Sequence, residues 1–203
     1  GGAGGMVVAT SQSITAGNYD VVVGAGGAKS TNVAAPASNG GNSSFNSHVG
    51  TGGAGGGDYE GGQRNGGSGA GGSEDNELGG TSTQATYSGV TNVTGYGNAG
   101  GTGGNYDSSG GTVGSGSGGG AGGAGGNAAS STVAGGAGRA NNFRTGSNVT
   151  YATGGQGVTG QTNGVAGGAN TGDGAGGVST NSGGNTNSAD GGSGIVVIRY
   201  AVT

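Results

Sequence analysis

Few side chains in this sequence can do chemistry, and their spacing limits what that chemistry could be. Glu74, Asp75 and Glu77 form the one acidic cluster. Closely spaced carboxylates offer the hard oxygen ligands that calcium takes. The same spacing is also an ordinary solvated turn, and no series of GGxGxD repeats accompanies it, so a calcium-bound β-helix is not expected. The single His, His48, stands between Ser47 and Val49 with no Cys in the chain to join it in a metal site, and reads as a structural or surface residue. A GxGxxG pattern occurs at residues 67–72, but with 63 glycines about six such matches arise by chance, and none has a strand–turn–helix context. The only Lys, Lys29, follows Ala28, which excludes a phosphate loop, and no G-x-S-x-G elbow exists. The expectation is a protein that is not an enzyme and carries no cofactor and no metal.

The aromatic residues are more informative. Tyr59, Tyr87, Tyr96 and Tyr106 lie in a glycine-rich middle where no packed core requires them. Tyr is amphipathic and costs little entropy to order, so each either covers backbone or faces a ligand. Phe143, flanked by Arg139 and Arg144, makes another break in the glycine pattern. Three Asn-x-Ser/Thr sequons, at Asn42, Asn92 and Asn148, are expected by chance in a chain this rich in those residues.

The elements that would position these residues are constrained by composition. Leu, Ile, Val and Phe together make 24 of 203 residues, about 12%, well under the roughly 20% that marks a chain able to bury a core. An ordinary globular enzyme is therefore excluded. Helix is disfavoured because each interior Gly costs about 1 kcal/mol relative to Ala. Collagen needs Gly at every third position and abundant Pro, whereas this chain has one Pro. Five basic and nine acidic residues leave no footprint for nucleic acid, and no run is long and apolar enough for membrane insertion. No signal peptide is visible, and the chain starts with Gly1, as a processed product or a piece of something longer would.

Strand candidates lie mainly at the ends. Residues 6–23 predict a β-hairpin, with strands at 6–14 and 19–23 around the turn residues Ala16, Gly17 and Asn18. Residues 43–51 and 148–152 predict two shorter strands. Residues 194–202 predict a C-terminal strand in which Ile195, Val196, Val197 and Ile198 are buried on both faces. Residues 50–193 are mostly without helix or strand period. Disorder is one reading of such a segment. If it is ordered, its backbone groups must pair, and the conformation open to it is polyproline II, with three residues per turn and no internal hydrogen bonds. With hydrogens for side chains, several such helices can lie side by side and bond to one another. Asn and Ser would tolerate the left-handed turns between them and cap stray backbone groups. The fold class expected is thus non-regular/β: one domain over residues 1–203, built as a polyglycine II helix bundle with a small β-sheet from the N- and C-terminal strands.

The runs GGAGGMVVATSQSITAGNYDVVVGAGG, NGGNSSFNSHVGTGGAGGG, GSNVTYATGG and GGSGIVVIRY resemble the glycine-rich domain of tailed-phage tail fibres, which also occurs in some secreted bacterial proteins. The resemblance covers nearly the whole chain. It implies a sandwich of polyglycine II helices whose loops at one end bind a host receptor, and thus an extracellular fibre or fibre-tip adhesin acting in attachment to a host glycan or protein. Loop breaks such as Phe143 and Arg144, and the tyrosines named above, are then the receptor-binding candidates. The family's opening apolar strand is absent here. This predicts an exposed edge at Ile195, Val196, Val197, Ile198 and Tyr200, covered by another copy of the chain. The alternatives are a secreted subunit that polymerises into an extracellular filament and, as a minor one, an ice-binding protein.

Overall fold

A computed structural model describes residues 1–31, 35–57, 64–73, 75–105, 114–159, 162–178 and 188–201. Among these there is no helix. Seven short strands form three small antiparallel sheets. β1 (Met6–Ala9) pairs with β5 (Val93–Tyr96). β2 (Val21–Val22) pairs with β3 (Ser43–Phe45), which pairs in turn with β4 (His48–Gly50). β6 (Arg139–Asn141) pairs with β7 (Val149–Tyr151).

Several expectations are corrected here. Residues 6–23 are not a hairpin, because β1 and β2 lie in different sheets. The first strand stops at Ala9, and Ser11 takes a left-handed backbone (φ 52°) that an extended run to Ile14 would not contain. The predicted strand over 43–51 is two strands, folded back at Asn46 and Ser47 (φ 43° and 66°). The strand expected at 148–152 is β7, ended by Ala152 at φ 54°. Residues 195–201 join no ladder and do not pair with an N-terminal strand. They are not buried on both faces either: Ile195, Val196 and Val197 are half-buried, while Ile198 is 47% exposed.

Between the sheets, extended runs bond to one another through the backbone with a repeat of three. Along residues 115–121, Ser115, Gly118 and Ala121 donate to the carbonyls of Val158, Gly155 and Ala152. Gly116 and Gly119 donate to Gly72 and Gly69, and Ser117 and Gly120 donate to Gly126 and Gly123. The same run accepts from Gly101 at Ser117, from Gly136 at Gly118 and from Ala3 at Gly119. One run therefore touches six others, three through its donors and three through its acceptors. A β-strand alternates between two neighbours and cannot do this. Residues 1–5 follow the same rule: Gly1 and Gly4 donate to Ala175 and Gly172, while Gly2 and Gly5 donate to Ala54 and Thr51.

Such close approach needs glycine. A Cβ on Gly118 would lie 2.0 Å from the Gly1 carbonyl oxygen, and one on Gly154 would lie 2.0 Å from that of Gly118. Where a side chain is tolerated inside the lattice it is small: Ala3, Ala54, Ala70, Ala121, Ser68 and Ser117 are all buried. The largest fully buried side chains are Val158, Ser68 and Ser117. Among the described residues, the one buried apolar cluster is Ala3, Ala121 and Ala152, with Met6 and Tyr96 packed against it. Polar side chains stand in for missing carbonyls. Asn42 Oδ1 accepts from Gly52 N at 2.8 Å, Asn39 Oδ1 from Gly55 N at 2.9 Å, and Asn127 Oδ1 from Thr102 N at 2.9 Å.

Candidate functional site

Of the four candidate tyrosines, the two within the described residues, Tyr87 and Tyr96, are packed, whereas Tyr200 at the candidate edge is 79% exposed. Tyr96, on β5, lies under the Arg139 guanidinium, whose central carbon is 3.8 Å from the ring centroid, so a cation covers the ring face. Tyr87 has φ 58°, and its hydroxyl accepts from Val49 N at 2.7 Å while its ring meets His48 edge-on at 5.7 Å. Tyr59 and Tyr106 lie outside the described residues.

The acidic cluster does not gather a metal set. Glu74 lies outside the described residues, Asp75 sits in a left-handed turn (φ 59°), and Glu77 Oε2 accepts from the backbone N–H of Ser73. Among the described residues no three His, Cys, Asp or Glu side chains come together.

Phe143 and Arg144 are brought together with the C-terminal segment. β6 and β7 are joined by a loop over 142–148 in which Asn141 Oδ1 accepts from Phe143 N at 2.7 Å and Gly146 N donates to Asn142 O. Gly146 adopts φ 83°, which closes this turn. Phe143 is half-buried and Arg144 exposed, and both line a shallow groove with Ile195, Val196, Val197 and Ile198. Loop breaks and candidate edge thus share one surface, although fifty residues of sequence lie between them.

A second, deeper cavity of about 700 Å³ lies against the same segment. It is lined by β1, by Phe45 and His48 of the β3–β4 hairpin, by Tyr151 of β7, and by residues 195–201. Two buried polar atoms here lack a partner: Tyr151 Oη and His48 Nδ1. Tyr151 is only 7% exposed, and a buried hydroxyl without a bond is costly. Among the described residues, the only acid and the only Arg or Lys on the lining are Asp173 and Arg199. None of residues 195–201 makes a hydrogen bond among the described residues, although residues 195–197 are partly buried. The surface is chemically apolar, with unpaired backbone and isolated polar atoms. Ser, Thr, His and Tyr side chains also line it, and among the described residues no three His, Cys, Asp or Glu side chains gather there.

Reading the sequence alone missed this cavity, because its walls come from six separate parts of the chain. The one available signal was the β-branched run near the C-terminus.

The model of one protein family, described as a glycine-rich domain, matches residues 1–201. No curated protein and no solved structure matches the chain.

Proposed function

The chain belongs to the glycine-rich domain family, and from that premise we propose that it is a non-enzymatic structural module of an extracellular fibre, its body a polyglycine II bundle. The observation that carries the reading is the run at 115–121, whose donors return to the same neighbour every third residue and which touches six other runs. Three residues per turn is the repeat of the polyproline II helix. A body of this kind is held by backbone bonds in three dimensions, so it needs neither a large apolar core nor charge. Its loops and sheet edges are then free to vary without unfolding it. That division suits a fibre or fibre tip of a tailed phage, with host attachment through a cell-surface glycan or protein. Phe143 and Arg144, on an exposed loop beside a groove, are the contacts this reading assigns to the host.

The test has two parts. Backbone dihedrals measured by NMR over 115–126 should cluster near φ −75° and ψ +145°. Regular β values there would remove the bundle. Separately, the labelled chain should adhere to a susceptible bacterial strain, and Phe143→Ala with Arg144→Ala should abolish adhesion while leaving protease resistance intact. Adhesion unaffected by that pair would remove the loop as the contact.

A second reading, a secreted subunit that polymerises into a filament, is favoured by residues 195–201, whose backbone is unbonded. Dependence of particle length on chain concentration would favour it over a fibre tip.

A further inference from the structure

We propose that the cavity beside β1 is an acceptor groove for the C-terminal segment of a second copy of this chain, so that residues 195–201 are exchanged between neighbours. The requirement comes from the backbone. β1 has a single ladder partner, β5. Across the same cavity, residues 195–201 present every N–H and C=O without a partner. Two extended runs with unsatisfied backbone are matched by a polypeptide strand, because only a strand offers donors and acceptors at the spacing of both. Residues 195–197 are partly buried, and backbone groups removed from water are almost always paired in folded proteins.

The occupant is specified by what the groove contains. Its walls include Met6, Val7, Val8, Phe45 and Ile195, so the incoming strand is apolar. Among the described residues, residues 195–201 are themselves an apolar run that is unbonded along both edges, and therefore free to pair on each side. Val21, Val22 and Val23 are comparably exposed, but β2 already spends one edge on β3. Charge agrees. Asp173 and Arg199 line one cavity yet form no ion pair within the chain, so the arginine of an incoming copy meets a carboxylate. The incoming backbone also supplies hydrogen-bond partners for the orphaned Tyr151 Oη and His48 Nδ1. The exchange deepens the self-assembly part of the proposed function and rests on that part alone; it does not depend on the polyglycine II reading.

The chain has no Cys, so cross-linking can be read cleanly. Chains carrying Val7→Cys and chains carrying Val197→Cys are mixed and oxidised. A disulfide-linked pair is expected, and a Leu78→Cys chain, with its thiol on an exposed residue away from the groove, gives none with Val197→Cys. Sedimentation of the unmodified chain should show association that rises with concentration. Val197→Pro removes one N–H from the segment and should weaken association at least tenfold, with protease resistance of the body unchanged. Tyr151→Phe should weaken it less and leave the monomer folded. Two results would overturn the exchange: a chain that stays monomeric while amides at 195–200 are already slow to exchange, which pairs the segment within its own molecule, or association indifferent to Val197→Pro, which joins copies elsewhere. In either case the dihedral test above is untouched, so the two failures are distinguishable.

Discussion

Gly122 and Gly123 are adjacent and chemically identical, yet they answer differently to a methyl group. A Cβ on Gly122 would lie 2.3 Å from the Gly138 carbonyl oxygen, whereas on Gly123 its nearest contact is Ala137 N at 3.6 Å. Gly122→Ala should therefore destabilise by about 1–3 kcal/mol, as overpacking does. Gly123→Ala should be neutral or stabilise by up to about 1 kcal/mol, through lost freedom in the unfolded chain. Urea unfolding of the two variants checks this, and equal midpoints would show that the lattice does not reach this run. Nothing in the string GGAGG distinguishes the two positions, because the obstructing carbonyl arrives from sixteen residues away. What was legible at this scale was the need for small side chains. Which glycine is indispensable was not, since that is set by a neighbour.

At the scale of elements, composition and turn chemistry made the absence of helix legible, along with the strand-forming character of residues 6–9, 21–22, 43–50 and 149–151. Pairing was not legible. Met6 sits opposite Tyr96, and no local pattern announces a partner ninety residues on. Strands of two to four residues are also too short to show a period, which is why β5 and β6 escaped notice. The runs between strands depend on side chains that substitute for carbonyls. Asp173 Oδ1 accepts from Thr153 N at 2.8 Å in a partly buried position. Asp173→Ala leaves that N–H unpaired and should cost about 1–3 kcal/mol. Asp173→Asn retains an acceptor oxygen and should recover most of the loss. Thermal midpoints of the pair measure the difference, and equal loss in both would mean that charge, rather than the bond, matters there.

For the whole molecule, burial of an ionisable group matters most at one place among the described residues. The Gly1 amino group donates to Ala175 O at 2.7 Å, and burial pushes it down from 8.0 to about 6. In the unfolded chain the amine binds its proton below about pH 8, whereas in the folded chain it does so only below about 6. Stability is therefore greatest above pH 8, falls as pH drops through this window, and levels off below 6. The total is about 2–3 kcal/mol for a shift of this size. For a chain whose first residue is Gly1, urea midpoints between pH 5.5 and 9 should trace this fall, and a His48→Gln variant should retain it. A flat profile would mean that the amine reaches water.

The run that touches six neighbours has a calorimetric consequence. The heat-capacity increment of unfolding rises with exposed apolar surface and falls with exposed polar surface. An ordinary chain of 203 residues gains about 2.4–3.0 kcal/mol/K. Here unfolding mainly uncovers peptide groups, since the largest fully buried side chains are a valine and two serines. Scanning calorimetry should give an increment well under that range. The curve of stability against temperature is then shallow, with a broad maximum and little tendency to unfold in the cold. A body of this construction would keep nearly the same stability across tens of degrees.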